Sequence, residues 1–393
     1  MEELLYRYNP WWGGDFGLEG MVERPGILDI MKREMSSRQI VYVTGMRRVG
    51  KTTILKMFIR FLISQEEIKP ERIFYISLDD YLLSKKSIIE IIDLFRSVHK
   101  IPFKEKIFLF LDEITRKEDY EIQMKNLYDS HNVKIYASSS SASVLKTGKA
   151  FLTGRNIIFE VLPLDFREYL KFKEIHVAKA DRHLLDKYFE EYLHNGGIPE
   201  YVLHGDINYL RELVDDIIQK DITAVHGIRN PDILKEFFLL LMERAGKQVS
   251  INKIANILKI SPDTAKRYLA LFEEAYLIYL LPRCGKTNET ILSPKKAYAP
   301  DLGIRTLFTG FRDKGSLFEN YIYMKLKHRR PCYIYKNGVE LDFLTEDGIL
   351  AEVKYNREIP EKQSKLMETI EAEKKYVIRN FREAEEFLND LQI

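Results

Sequence analysis

Cysteine is nearly absent: two residues in 393. Cys284 and Cys332 are too few for a disulfide framework or a thiolate metal site, so a reducing cytoplasm is the expected setting. Long apolar runs are missing as well. None reaches the length needed to cross a bilayer, and the opening Met-Glu-Glu-Leu-Leu lacks a basic, apolar leader, so no membrane partner is expected. Charge of one sign is scarce too, because 61 Lys and Arg oppose 59 Asp and Glu, a formal net charge of +2. Any face that binds a polyanion must come from local clustering. What remains is 45% hydrophobic and 31% charged, the balance of a globular protein with a heavily charged surface. Its length suits roughly two to four domains.

The most informative stretch runs from Ile40 to Thr53. It holds Gly45-x4-Gly50-Lys51-Thr52 between an apolar run and the helical spacing of Ile54 to Ile59. A strand, a glycine-pivoted loop and a helix in that order aim backbone N–H groups at a polyphosphate. Gly45, Arg47, Arg48, Val49, Gly50, Lys51, Thr52 and Thr53 are the expected ATP contacts, with Lys51 on the outer phosphates and Thr52 on Mg2+. Further on, Lys106-Ile-Phe-Leu-Phe-Leu-Asp112-Glu113 has the continuous apolar character of a strand buried on both faces. Its terminal acids would fall at the ligand-binding edge of a parallel sheet, Asp112 holding Mg2+ and Glu113 polarising the attacking water. Ser138 to Ser141 follow a further strand, and either sense the γ-phosphate or cap a helix. Arg155, after Leu152-Thr-Gly154, either supplies charge to the leaving phosphate or is simply solvated. If it acts from a neighbouring copy, a homo-oligomer is required. The tryptophans Trp11 and Trp12 are expected to cover apolar surface.

These pieces, with Leu162-Pro-Leu-Asp-Phe-Arg-Glu-Tyr and Asn195-Gly-Gly-Ile-Pro199-Glu, resemble the AAA-superfamily ATPases of archaea and bacteria that carry a C-terminal nuclease-like domain of unassigned function. The resemblance runs from about Gly26 to the C-terminus. It departs after the fourth strand, where the family has Thr-Gly-Ser and this chain has Ala137-Ser138-Ser139.

Residues 178–228 show helical spacing, as in Leu210, Leu213, Val214, Ile217 and Ile218. Three helices are then expected, at Ile233–Arg244, Asn252–Leu258 and Pro262–Glu274, with Ser250 and Ser261 as N-caps and the apolar strand Tyr276–Leu281 after them. That succession is a winged helix-turn-helix. Its third helix, with Asp263, Thr264, Lys266 and Arg267 facing out, suits a DNA major groove. The other reading is a winged helix used only for packing. Between Arg283 and Arg330, eleven Lys or Arg oppose four acids, either a phosphate-backbone footprint or a solvated surface.

The C-terminal segment reads helix, three strands, helix, strand, helix. Asp342 lies inside an apolar strand, and the next strand carries Glu352 and Lys354 on one face. Carboxylates in apolar strands are costly unless cations or hydrogen bonds compensate them. Asp-x9-Glu-x-Lys in this order of elements resembles the restriction-endonuclease-like, or PD-(D/E)XK, fold. The resemblance implies catalytic roles for Asp342, Glu352 and Lys354, and Mg2+ held by Asp342 and Glu352 with Glu319 as a further acid.

The expected architecture is therefore α/β and multidomain: a P-loop parallel-sheet ATPase domain over 1–170, a helical connector over 171–230, a winged helix over 231–310 and a restriction-endonuclease-like α/β domain over 311–393. The expected function is ATP hydrolysis coupled to nucleic acid, DNA before RNA, with a Mg2+-dependent nuclease domain. The alternative is a regulatory ATPase whose last domains are inactive binding modules.

Overall fold

Short runs rich in Ile, Val, Tyr and Phe, each closed by a turn or a helix start, form the strands of the first unit. In the computed structural model, which describes residues 1–14, 21–143 and 154–392, the chain forms two units, Met1–Leu162 and Pro163–Ile393. The first contains the helices α1 (Glu2–Tyr8), α2 (Pro25–Arg33), α3 (Lys51–Ser64), α4 (Ile88–Val98) and α5 (Tyr120–Ser130). Its strands are β1 (Ile40–Thr44), β2 (Ile73–Ser77), β3 (Ile107–Asp112), β4 (Val133–Ser139) and β5 (Asn156–Glu160). They make one parallel sheet in the order β2-β3-β4-β1-β5. Every residue of β1 and β3 is buried, as a strand covered on both faces requires. The order inserts β4 between the P-loop strand and the strand ending in Asp112.

The free edge of β2 is covered by the N-terminal segment. The Asn9 side chain accepts from the Tyr75 N–H at 2.7 Å and donates to the Tyr75 carbonyl at 2.9 Å, standing in for a neighbouring strand. Trp12 stacks on Phe95 with centroids 5.6 Å apart, and its indole N–H reaches the Ile73 carbonyl at 3.0 Å. Trp12 thus covers apolar surface, as expected, and Trp11 is buried with its indole N–H on the Ile73 carbonyl.

The second unit begins with the helix Phe166–Phe172, capped by the reciprocal pair Asp165 and Glu168. The helices Leu185–Asn195, Pro199–His204 and Ile207–Asp216 follow, and Ile217–Thr223 widens to π winding. The Asn195-Gly-Gly turn has a packing reason. A Cβ on Gly197 would lie 2.0 Å from the Leu164 carbonyl oxygen, and the Gly197 N–H donates to buried Asp301 at 2.6 Å.

The helices Pro231–Glu243, Ile251–Leu258 and Pro262–Glu274 come next, the last two capped by Ser250 and Ser261. β6 (Tyr279–Leu281) pairs antiparallel with β7 (Lys296–Tyr298). After the helix Lys314–Leu326 come β8 (Cys332–Lys336), β9 (Val339–Leu344), β10 (Ile349–Val353) and β11 (Lys374–Ile378), a four-stranded sheet in the order β11-β10-β9-β8. The helix Glu361–Thr369 lies between β10 and β11 in sequence, and Phe381–Asp390 follows β11.

Cys284 and Cys332, 48 residues apart, are joined in a disulfide with a Cα–Cα distance of 5.1 Å. The pairing follows from the backbone: the Cys284 N–H donates to the Tyr333 carbonyl at 2.7 Å, which zips the chain leaving β6 against β8. Two cysteines make no framework, yet the fold brings this pair within bonding reach. Among the described residues no helix is long and apolar enough to cross a membrane.

Candidate functional site

β1 delivers the chain to Gly45, whose φ is +138°, and a Cβ there would lie 2.3 Å from the Val161 carbonyl oxygen. Gly50, φ +95°, then turns the loop into α3. Between them Arg48 also adopts a positive φ, +68°, which is uncommon outside glycine. No side chain caps the start of α3, so its first-turn N–H groups are not claimed by an N-cap and suit an anion. Lys51 is buried at the first helical position, with Nζ 2.9 Å from the carbonyl oxygens of both Gly45 and Met46. These residues fit a nucleotide polyphosphate. Val49 is buried, and its carbonyl accepts from the Arg24 guanidinium, whereas Arg47, Arg48 and Thr53 keep solvent access.

Asp112 ends β3, and its carboxylate gathers hydroxyls from three elements. Thr52 Oγ1 of α3 donates at 2.6 Å and the Tyr75 hydroxyl of β2 at 2.8 Å, while Ser138 Oγ of β4 donates to the other oxygen. Burial and then the Asp112 charge push the Tyr75 hydroxyl pKa upward, so it stays a donor. A hydroxyl and a carboxylate already at 2.6 Å fit a shared Mg2+, which Thr52 and Asp112 would hold. Glu113 has φ +54°, and its carboxylate accepts from Ser140 Oγ at 2.6 Å. Residues in such strained backbone cluster at functional sites. Ser138 and Ser140 therefore contact the two acids directly, while Ser139 pairs with Thr115. Sequence reading missed Tyr75, since only the β2–β3 pairing, Ser77 beside Asp112, brings it into reach.

Arg155 is elsewhere. Its backbone carbonyl accepts from Ile40 at the start of β1, the opposite end of the sheet from Lys51 and Asp112. Its side chain pairs with Asp129 at 3.3 Å. Leu152 and Thr153, read together with it, lie outside the described residues.

In the second unit Glu319, Asp342, Glu352 and Lys354 do come together, around a residue the sequence reading placed on the surface. Lys296 of β7 is 1% exposed, and its Nζ lies 2.6 Å from Glu319, 3.0 Å from Glu340 and 3.1 Å from Asp342. Glu319 also accepts from the Tyr298 hydroxyl at 2.7 Å. Asp342 Oδ2 accepts from the Val353 N–H at 3.0 Å, and Glu352 Oε2 from the Asp342 N–H at 2.9 Å. Lys354 and Gln363 both donate to Glu352 Oε1. Burial, followed by the Asp342 charge, raises Glu319 to about 7 and Glu352 to about 8. Burial opposes the charge on Lys296, yet the surrounding carboxylates raise it well above the ordinary lysine value. The arrangement does not fit Mg2+: both oxygens of Asp342, both of Glu352 and Oε1 of Glu319 already accept from ammonium, N–H or hydroxyl donors. Among the described residues no three His, Cys, Asp or Glu side chains group so as to hold a metal ion.

The basic run between Arg283 and Arg330 also reads differently in three dimensions. Besides Lys296, Arg312 pairs with Glu243 at 3.6 Å, Lys314 with Glu190 at 2.9 Å, Lys325 with Asp165 at 2.6 Å and Arg330 with Glu346 at 3.3 Å. All these acids lie outside the run, which is why counting charges along it overstated the local excess.

Comparison with known proteins adds two family matches. The AAA domain family matches residues 37–170, and a family described as a domain of unknown function matches residues 186–315. Uncharacterized protein MJ1544 of Methanocaldococcus jannaschii is 33% identical over 327 residues, covering 78% of this chain and 72% of that protein. An uncharacterized protein of Haemophilus influenzae is 27% identical over 328 residues, 79% of this chain and 80% of its own length. Among solved structures, a Walker-type ATPase of Pyrococcus abyssi aligns at a TM-score of 0.45 and 15% identity, over 75% of this chain and 98% of its own.

Proposed function

This chain belongs to the family of Uncharacterized protein MJ1544, with an AAA-type P-loop ATPase domain at residues 37–170, and on that footing we propose that it hydrolyses ATP and uses the cycle to act on DNA. The observation that carries the hydrolytic reading is the 2.6 Å approach of Thr52 to Asp112, beside a buried Lys51 and with Glu113 next in sequence. Mg2+, when bound, would offset phosphate charge. The loop N–H groups from Gly45 to Thr53 would wrap the phosphates. Lys51 would exchange the Gly45 and Met46 carbonyls for phosphate oxygens. Glu113 would leave the Ser140 hydroxyl, orient the attacking water and take its proton.

The test is steady-state ATP hydrolysis with nucleotide binding measured alongside. Glu113→Gln is expected to lower the rate by about 100-fold or more while still binding ATP, and Lys51→Ala to lose both. Glu113→Gln hydrolysing at the wild-type rate would remove Glu113 from the mechanism.

DNA is the proposed partner because the helix Pro262–Glu274 buries Ala265, Tyr268, Leu271 and Phe272 and leaves Lys266 and Arg267 exposed, as the reading helix of a winged helix does. The deep, narrow major groove of RNA would not admit it. For the C-terminal nuclease-like domain, the resemblance implies cleavage by Asp342, Glu352 and Lys354 with Mg2+, a reading the engaged carboxylates disfavour. The buried Lys296 favours the other, a domain that holds its partner without cutting.

A further inference from the structure

We infer that Lys296 is the resident cation of the C-terminal carboxylate cluster, so that Glu319, Asp342 and Glu352 take up no divalent cation while that lysine is in place. The inference sharpens the non-cutting reading above. It is separable from the ATPase and DNA proposals, because it is tested by metal uptake alone.

An ammonium carries three N–H donors and no acceptor. Lys296 has three carboxylates within 3.1 Å, hydrogen-bonding to Glu319 and Asp342 and ion-paired with Glu340. Its backbone belongs to β7, in register with Leu281 of β6, so the side chain is presented from a fixed strand rather than from a loop. Tyr298, two residues on along the same strand face, directs its hydroxyl to Glu319 as well. Two neighbouring side chains of one strand thus address one carboxylate.

The remaining oxygens of Asp342 and Glu352 are also engaged. Val353 N–H holds the second oxygen of Asp342, and Asp342 N–H, Gln363 and Lys354 hold Glu352. A divalent cation placed among these oxygens would meet ammonium nitrogens at hydrogen-bond range of the same carboxylates, and the repulsion is severe in a buried setting. Mg2+ also demands near-octahedral oxygen ligation. A buried lysine with such partners is costly to remove, since its carboxylates are then left uncompensated. A divalent cation could restore that balance once the ammonium is gone.

The experiment is a Mn2+ titration of the nucleotide-free full chain, read by the electron paramagnetic resonance of free Mn2+. Wild type and Asp342→Asn are expected to titrate identically. Lys296→Met is expected to bind one additional Mn2+ per chain, and the double variant Lys296→Met with Asp342→Asn to lose it again. In parallel, Mn2+ should raise the unfolding midpoint of Lys296→Met relative to wild type. The inference is overturned if wild type takes up a Mn2+ that Asp342→Asn abolishes, or if folded Lys296→Met gains none. Should Lys296→Met fail to fold, the comparison of wild type with Asp342→Asn decides alone.

Discussion

Arg24 precedes the P-loop by a whole helix and a strand, yet its guanidinium donates to the carbonyls of Val49 at 3.1 Å and Leu162 at 3.0 Å. It is only 6% exposed, so removing it strands two carbonyls away from water. Arg24→Ala is expected to cost about 2–3 kcal/mol in urea unfolding, and a loss below about 0.5 kcal/mol would contradict that role. Asp301 offers a pH test. It is buried and accepts from the N–H groups of Gly197 and Ile304, but burial outweighs those bonds and raises its carboxyl from 3.8 to about 6. The folded chain therefore holds this proton more tightly than the unfolded chain. Its contribution to stability is complete below about pH 4 and falls as the pH climbs through about 6, by about 3 kcal/mol in all. The difference in unfolding free energy between wild type and Asp301→Asn should shift by that amount between pH 4 and pH 7, at the expense of wild type. A constant difference would rule the assignment out. At this scale Lys51, Thr52, Asp112 and Glu113 were legible because each motif is contiguous. Tyr75, Ser140, Arg24 and Lys296 were not, since their roles depend on partners up to 138 residues away.

Among the elements, the Asn195-Gly-Gly turn makes the sharpest demand on sequence. A Cβ at Gly197 would meet the Leu164 backbone, which cannot swing aside as a side chain can. Gly197→Ala is expected to cost about 2 kcal/mol or more, seen as a lowered unfolding midpoint, whereas Gly205→Ala should be limited to backbone strain because nothing lies within 4 Å of its Cβ. Equal effects would show that packing is not the reason for Gly197. The strands β1 and β3 could be read directly, because a parallel sheet covered on both faces needs continuous apolar runs. Ser250 and Ser261 announced their helices through N-cap chemistry. The π winding of Ile217–Thr223 had no such signal, since its residues continue the helical spacing of Ile207–Asp216.

Taken whole, the chain has a net charge of +2, and several of its cations pair with acids distant in sequence. Arg312, Lys314 and Arg330 form pairs that are partly or mostly exposed, and such pairs are individually weak. They can open to meet phosphates at little cost, so a paired surface and a DNA footprint are compatible. Binding of that kind must fade with salt, because its driving force is counterion release. That dependence separates a DNA-directed ATPase from a regulatory ATPase that ignores DNA. The measurement is the ATP hydrolysis rate with and without duplex DNA at about 50 mM and about 200 mM salt, with Lys51→Ala as the blank. The account predicts stimulation by DNA at low salt that shrinks at high salt. A rate indifferent to DNA at both would contradict it.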